Sequence, residues 1–314
     1  MRQTLSVAIC VIVSLALAAL GTRYVHPHWL LATLYSLQLH VAAGCVVAML
    51  AALAIKRHFL IWLLFSATLL FAGHAILMNR EFAAPATAAD ASSPTFRLLS
   101  FNILSDNYEN GEDIARAILS TDADLVNIME AAPLRVHLDE LARVYPYRIG
   151  CGILIQICDQ MMLSKVPIET PTVRTLSDIF PDRFILAKVT LAGRTVNFAG
   201  IHTTKPYFDS FHSLELTRAA LAIAETTGPL LLSGDFNASS LAPNMRRFLR
   251  VTELRTGEWE PATWPIKAGR FGVPIDHIYV RAPLKIKSLK RLADAHGSNH
   301  YGLVAEIAIT GSGQ

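Results

Sequence analysis

The stretch Leu230-Leu231-Leu232-Ser233-Gly234-Asp235-Phe236-Asn237-Ala238 ends an apolar run of strand length in a carboxylate and a carboxamide two residues apart. Apolar strands are normally buried, and residues i and i+2 of an extended chain face the same way. Asp235 and Asn237 are therefore expected to face one site at the rim of a core, with Phe236 turned back to pack. Such a pair can orient a water, bind a metal or hold a phosphate oxygen. The plainer alternative is a strand closed by an Asx-turn. Polar clusters end other apolar runs in the same manner: Ser100-Phe101-Asn102, Asn127-Ile128-Met129-Glu130 and Gly200-Ile201-His202-Thr203-Thr204. Near the C-terminus stand Ile275-Asp276-His277 and Ser298-Asn299-His300.

The elements that must position these residues are short. Phe96 to Ile103, Leu125 to Met129, Gln160 to Leu163, Phe184 to Leu191, Thr195 to Ile201, Leu230 to Ser233, Ile275 to Val280 and Leu303 to Ile309 read as strands. Gly111 to Ser120, Pro133 to Val144 and Phe211 to Thr226 read as helices. Strand and helix order alone defines a mixed α/β domain. From Ala84 onward there are 23 Lys and Arg against 24 Asp and Glu, so the chain's net charge of +3 comes from its N-terminal end. A global basic footprint of the kind that holds nucleic acid is missing. Two local clusters, Arg246, Arg247, Arg250 and Arg255, and Lys285, Lys287, Lys290 and Arg291, read as solvated surface, with an anionic membrane or polyphosphate contact as the sharper alternative.

The first eighty residues differ in kind. Apolar runs at about 4–20, 29–55 and 59–78 are long enough for transmembrane helices. Arg2, Lys56 and Arg57 mark the cytoplasmic side, against a weak counter-signal from Arg23. The remainder is then carried outside the cytoplasmic membrane, in a multi-pass, periplasmic arrangement. That placement survives if the first run is instead a signal peptide cleaved near Ala16-Leu17-Ala18. His40 and His74 read as neutral side chains packed between helices. Residues 81–94, rich in Ala, Ser and Pro, read as a flexible linker. An oxidising compartment would permit a disulfide between Cys151 and Cys158, whose spacing suits a tight hairpin.

Taken in order with Thr263-Trp264-Pro265, these clusters resemble the endonuclease/exonuclease/phosphatase superfamily of nucleases, sphingomyelinases and inositol-polyphosphate phosphatases. The resemblance runs from Thr95 to Ile309. It implies an α+β fold, a four-layer α/β/β/α sandwich of two packed mixed sheets. The catalytic domain would span 95–314, and residues 1–80 would anchor it.

The activity implied is hydrolysis of a phosphodiester or phosphomonoester by in-line attack of water, assisted by Mg²⁺ or Mn²⁺. Glu130 would be the principal metal ligand, with Asn102 beside it; a helix-start carboxylate favoured by the dipole is the plainer reading of Glu130. His300 paired with Asp276 would activate water or bind phosphate. Asp235 is the competing residue for aligning the water, Asn237 would contact the phosphate, and His202 would donate to a phosphoryl oxygen. His277 is expected to be structural and His296 a loop residue. The superfamily's last motif usually reads Ser-Asp-His, so Asn299 removes a negative charge at the metal site. Expected partners are the lipid bilayer and a phosphate-ester substrate (nucleic acid, phospholipid head group or small ester), with no obligate protein partner. The alternative is a catalytically silent, membrane-anchored binding module of the same fold.

Overall fold

A computed structural model describes residues 2–311. Among these residues eleven strands follow one another: β1 Thr95–Asn102, β2 Leu125–Met129, β3 Tyr147–Ile149, β4 Gln160–Ser164, β5 Ile168–Arg174, β6 Phe184–Leu191, β7 Arg194–His202, β8 Leu230–Asp235, β9 Asp276–Arg281, β10 Leu284–Arg291 and β11 Leu303–Ile309. They form two mixed sheets, ordered β10-β11-β1-β2-β4-β3 and β5-β6-β7-β8-β9. The helices are α1 Arg2–Gly21, α2 Ala32–Ser36, α3 Gln38–Ile55, α4 Phe59–Arg80, α5 Gly111–Ser120, α6 Leu138–Ala142, α7 Phe211–Ala224 and α8 Pro243–Thr252.

Continuous apolar runs make central strands because both faces are covered. In β1, Phe96 and Leu98 enter the core between the sheets, while Leu99 and Phe101 pack with Ile114 and Ile118 of α5. In β8, Leu231 faces the same inner core, and Leu230 and Leu232 pack with Leu216 of α7 and Phe248 of α8. The layers are those of the α+β sandwich expected from the sequence.

Toward one end the inner faces turn polar. Asn127 donates to the Ser233 carbonyl (3.0 Å) and hydroxyl (3.2 Å), joining the two sheets. Gly200 sits opposite: a Cβ there would lie 2.5 Å from Gln160 Nε2 and 2.6 Å from Asn127 Oδ1. Close approach of the sheets at this end requires glycine. β1 and β2 run parallel, as do β7 and β8; β4, β6, β9 and β11 run antiparallel to their neighbours. The C-terminal ends of the parallel pairs and the beginnings of their antiparallel neighbours therefore share one rim.

Among the described residues, three helices are long and apolar enough to cross a membrane: 2–24, 38–55 and 59–80. Val13, Leu17, Met49, Ala52 and Ile61 pack them together, while Ile12, Leu15, Val47 and Leu70 stay exposed. The second apolar run is shorter as a helix than 29–55. The chain breaks at Leu37 (φ −89°, ψ 9°), so Trp29–Leu31 and α2 stand apart from α3. The 81–94 segment is docked rather than free. Phe82 is 2 % exposed, Ala84 N donates to Thr256 O (2.9 Å) and Ala86 N to Ile286 O (3.0 Å). Glu81 pairs with Arg246 and Arg250, and Lys285 with Asp90 at 2.9 Å. Its small residues and prolines give short backbone pairings along the sandwich, not a tether.

Candidate active site

The shared rim opens into a cavity of about 650 Å³. Glu130, His202, Asp235, Asn237, Asn299 and His300 line it. Asp235 Oδ2 is its centre: Asn102 Nδ2 donates to it at 3.0 Å, and the Nε2 atoms of His202 and His300 each lie 3.8 Å away. Asn102 Nδ2 also donates to Glu130 Oε1 (3.1 Å), and the Ser105 N–H to Glu130 Oε2 (2.8 Å). His300 Nδ1 is 2.8 Å from Asp276 Oδ2.

Local structure explains how each residue arrives. Gly234 (φ 153°) lies against β7 so closely that a Cβ would be 1.7 Å from Ile201 O; only glycine lets β8 deliver Asp235 there. Both readings of Gly-Asp-Phe-Asn hold. Phe236 is fully buried, and Asn237 N donates to Asp235 Oδ1 (2.8 Å) in an Asx-type turn. Asn237 Nδ2 donates to Thr203 O (2.9 Å), tying the β8 loop to the β7 loop. Buried Glu215 of α7 accepts from Thr204 N (2.6 Å), which fixes the segment after His202. Thr263 Oγ1 accepts from the amides of Ile275 and Asp276, both at 3.2 Å. Ser298 Oγ donates to Asn102 O (2.7 Å) and accepts from His300 N (3.1 Å), binding the last motif to β1. Glu130 (φ 57°) and Asn237 (φ 50°) both adopt left-handed backbone. For a glutamate this costs about 1–3 kcal/mol, and such strain collects at functional sites.

Charge is unevenly distributed. Burial pushes the Glu130 carboxyl up, but the neighbouring His202 and the Ser105 and Asn102 donors outweigh it and leave the group below its usual range. Burial and the facing Asp276 carboxylate push Asp235 up, against His300 and His202. Burial pulls His300 down, yet Asp276 and Asp235 raise it to about 9.

Asp159 and Arg183, beside His202, are among the cavity residues that escape the sequence reading. Asp159 Oδ1 accepts from Arg183 Nη2 (2.9 Å), and its Oδ2 lies 2.7 Å from Arg183 Nε and 3.4 Å from His202 Nδ1. Burial raises its carboxyl, but His202 and Arg183 prevail and hold it at about 2. Both residues stand just before a strand, β4 and β6, rather than after one. They reach the rim because those strands run antiparallel to β2 and β7; a search at strand starts as well as strand ends would have found them. His277 is structural, its ring between Glu260 (2.5 Å) and the Ala238 carbonyl (2.9 Å). His296 is a loop residue bound to Asp113 (2.6 Å). His40 and His74 are exposed; His74 meets the Tyr24 hydroxyl (2.7 Å) and His40 the Phe271 carbonyl (3.0 Å). Cys151 and Cys158 are joined as a pair, with Cα atoms 4.2 Å apart.

The donors suit a hard divalent cation, which prefers oxygen ligands. Glu130, its carboxyl held below the usual range, lines the cavity beside amide oxygens and Asp235. Asp276 Oδ1 is buried without a hydrogen-bond partner, and ligand atoms of Asp235, Asp276 and His300 lie within 4.8 Å of one another.

The chain belongs to the Endonuclease/Exonuclease/phosphatase family, whose model matches residues 99–300 and whose members hydrolyse phosphate esters. Similar solved structures include D. rerio TDP2 complexed with single strand DNA product (15 % identity, 68 % of this chain, 98 % of that one, TM-score 0.54). Others are a Staphylococcus aureus beta toxin mutant with bound magnesium ions (15 %, 69 % and 100 %, 0.52) and sphingomyelinase C from Streptomyces griseocarneus (16 %, 68 % and 99 %, 0.50). At these identities the likeness is one of fold. No curated protein matches the chain.

Proposed function

We propose that this protein is a divalent-metal-dependent phosphoesterase held at the outer face of the cytoplasmic membrane by its three apolar helices. The observation that carries the reading is Asp235 Oδ2 at the centre of Asn102, His202 and His300, beside Glu130, in one cavity. Glu130, Asn102 and Asn299 would hold Mg²⁺ or Mn²⁺; when bound, the cation neutralises phosphoryl charge and supports the leaving oxygen. The magnesium ions of the beta toxin structure support that choice.

The chain's own groups divide the remaining work. Asp235, with its raised affinity for protons, aligns the attacking water and accepts its proton. His300, protonated at neutral pH, donates to a phosphoryl or leaving oxygen, and Asp276 fixes its ring. His202, oriented by Asp159, and Asn237 hold the other phosphoryl oxygens. The water oxygen bonds to phosphorus, one ester P–O bond breaks, and the departing oxygen takes a proton.

The test is turnover of bis(p-nitrophenyl) phosphate and p-nitrophenyl phosphate by the full chain in detergent, with Mg²⁺, Mn²⁺ or EDTA. Metal-dependent release of nitrophenol is expected. A folded, metal-supplied protein inert on both, and on DNA and sphingomyelin, would favour the silent binding module.

A further inference from the structure

The cavity is not closed by the sandwich alone. Thr33, Ser36 and Leu37 form part of its wall, and α3, a candidate membrane span, begins at the next residue, Gln38. Hydrogen bonds fix this junction to the catalytic loops. Ser239, two residues beyond Asn237, donates through its amide to Ser36 Oγ (3.2 Å) and through its hydroxyl to Ser36 O (3.0 Å). Arg23, at the end of the first span, donates to Leu241 O (2.7 Å) and pairs with Gln38. His40 bonds the Phe271 carbonyl. His40 is only about 3 Å along the axis from the start of α3 at 1.5 Å per residue, so the 266–271 segment lies level with the first turn of a span.

Exposed aromatic side chains stand at this level, beside the exposed cations Lys267 and Arg270. Phe271 is 70 % exposed, and Phe208, Tyr207 and Trp264 on the cavity wall are 69 %, 42 % and 41 % exposed. Aromatic residues beside membrane spans sit at the headgroup boundary. The cations of the wall are Arg183 and Lys205, and Arg183 is paired with Asp159. A groove that tracks a polynucleotide needs a run of cations instead.

We infer that the substrate is a phosphate ester of a membrane-resident amphiphile. Its headgroup reaches Asp235 along the wall made by residues 33–37, while its apolar part stays in the bilayer. This rests on the phosphoesterase reading and narrows its substrate class. Water adds across one P–O ester bond, giving an alcohol and a phosphate product, and no redox partner is needed.

The full chain would be offered vesicles of phosphatidylethanolamine and phosphatidylglycerol, with and without sphingomyelin. Parallel arms would contain the deacylated compounds glycerophosphoethanolamine and glycerophosphoglycerol, bis(p-nitrophenyl) phosphate, and single-stranded DNA. A vesicle lipid is expected to turn over at least tenfold faster than its deacylated counterpart. Leu37→Asp and Phe208→Asp should each lower the ratio of lipid to bis(p-nitrophenyl) phosphate turnover at least tenfold. Equal rates on acylated and deacylated compounds, preference for DNA, or a ratio unmoved in both variants would overturn the inference and leave the phosphoesterase standing. Failure to turn over any substrate would remove both.

Discussion

Two groups of opposite charge at Asp235 and His300 each gain affinity for protons, from different causes. Asp235 is raised by burial and by Asp276, His300 by the same two carboxylates acting against burial. In the proposed mechanism that division provides a water-aligning base and a proton donor 3.8 Å apart. Asn299 stands where the resemblance leads one to expect Asp, and it lines the cavity from an exposed position. Restoring a carboxylate by Asn299→Asp adds charge where a cation would sit. The Mg²⁺ concentration for half-maximal turnover should fall by about threefold or more, in line with the dependence of cation affinity on ligand charge; an unchanged metal titration would remove Asn299 from the site. The polar cluster around Asp235 was legible because Asn102, Glu130, His202 and Asp235 each end an apolar run. Asp159 and Arg183 were not, since only strand direction, which a single run does not carry, places them at the same rim.

Elements without a hydrophobic signature were the ones the sequence hid. β5 and β10 are edge strands, with largely exposed or half-exposed positions along Glu169–Arg174 and Lys285–Arg291. The lysines of β10 read as surface charge because edge strands use such residues against further pairing. α8 was masked by its arginines, yet Arg246 is buried, and it donates to Met78 O (3.0 Å) while pairing with Glu81. Buried His212 joins α7 to the catalytic loop, bonding the Phe236 carbonyl and Asn244, both at 2.7 Å. Burial depresses its pKa to about 4, against the bond to Phe236. The folded value lies below the unfolded 6.5, so its contribution is complete above pH 6.5 and is lost as pH falls toward 4. The loss amounts to ~3 kcal/mol. Thermal midpoints measured from pH 7 to 4 should fall, and His212→Gln should flatten that fall; an unchanged slope would show that His212 is not buried as a neutral ring.

On the scale of the whole molecule, the three long apolar helices and the sandwich are joined by more than chain continuity. Composition alone made 81–94 a linker, because short backbone pairings such as Ala84 to Thr256 depend on residues far along the chain. The break at Leu37 was hidden likewise, since an apolar run continues through it. With the segment docked, limited proteolysis of the full chain in detergent should leave 81–94 intact until the sandwich itself unfolds. Rapid cleavage there would contradict docking. In the function proposed above, one cavity at the rim of this sandwich hydrolyses phosphate esters through Glu130 and His300. Its most direct test is bis(p-nitrophenyl) phosphate turnover by the full chain and its Glu130→Ala and His300→Ala variants, each with saturating Mg²⁺. Losses of roughly 10²-fold or more are expected in both, a typical cost of removing a charge-stabilising or acid–base group. Turnover within about twofold of the parent in both folded variants, against that expected loss, would contradict it.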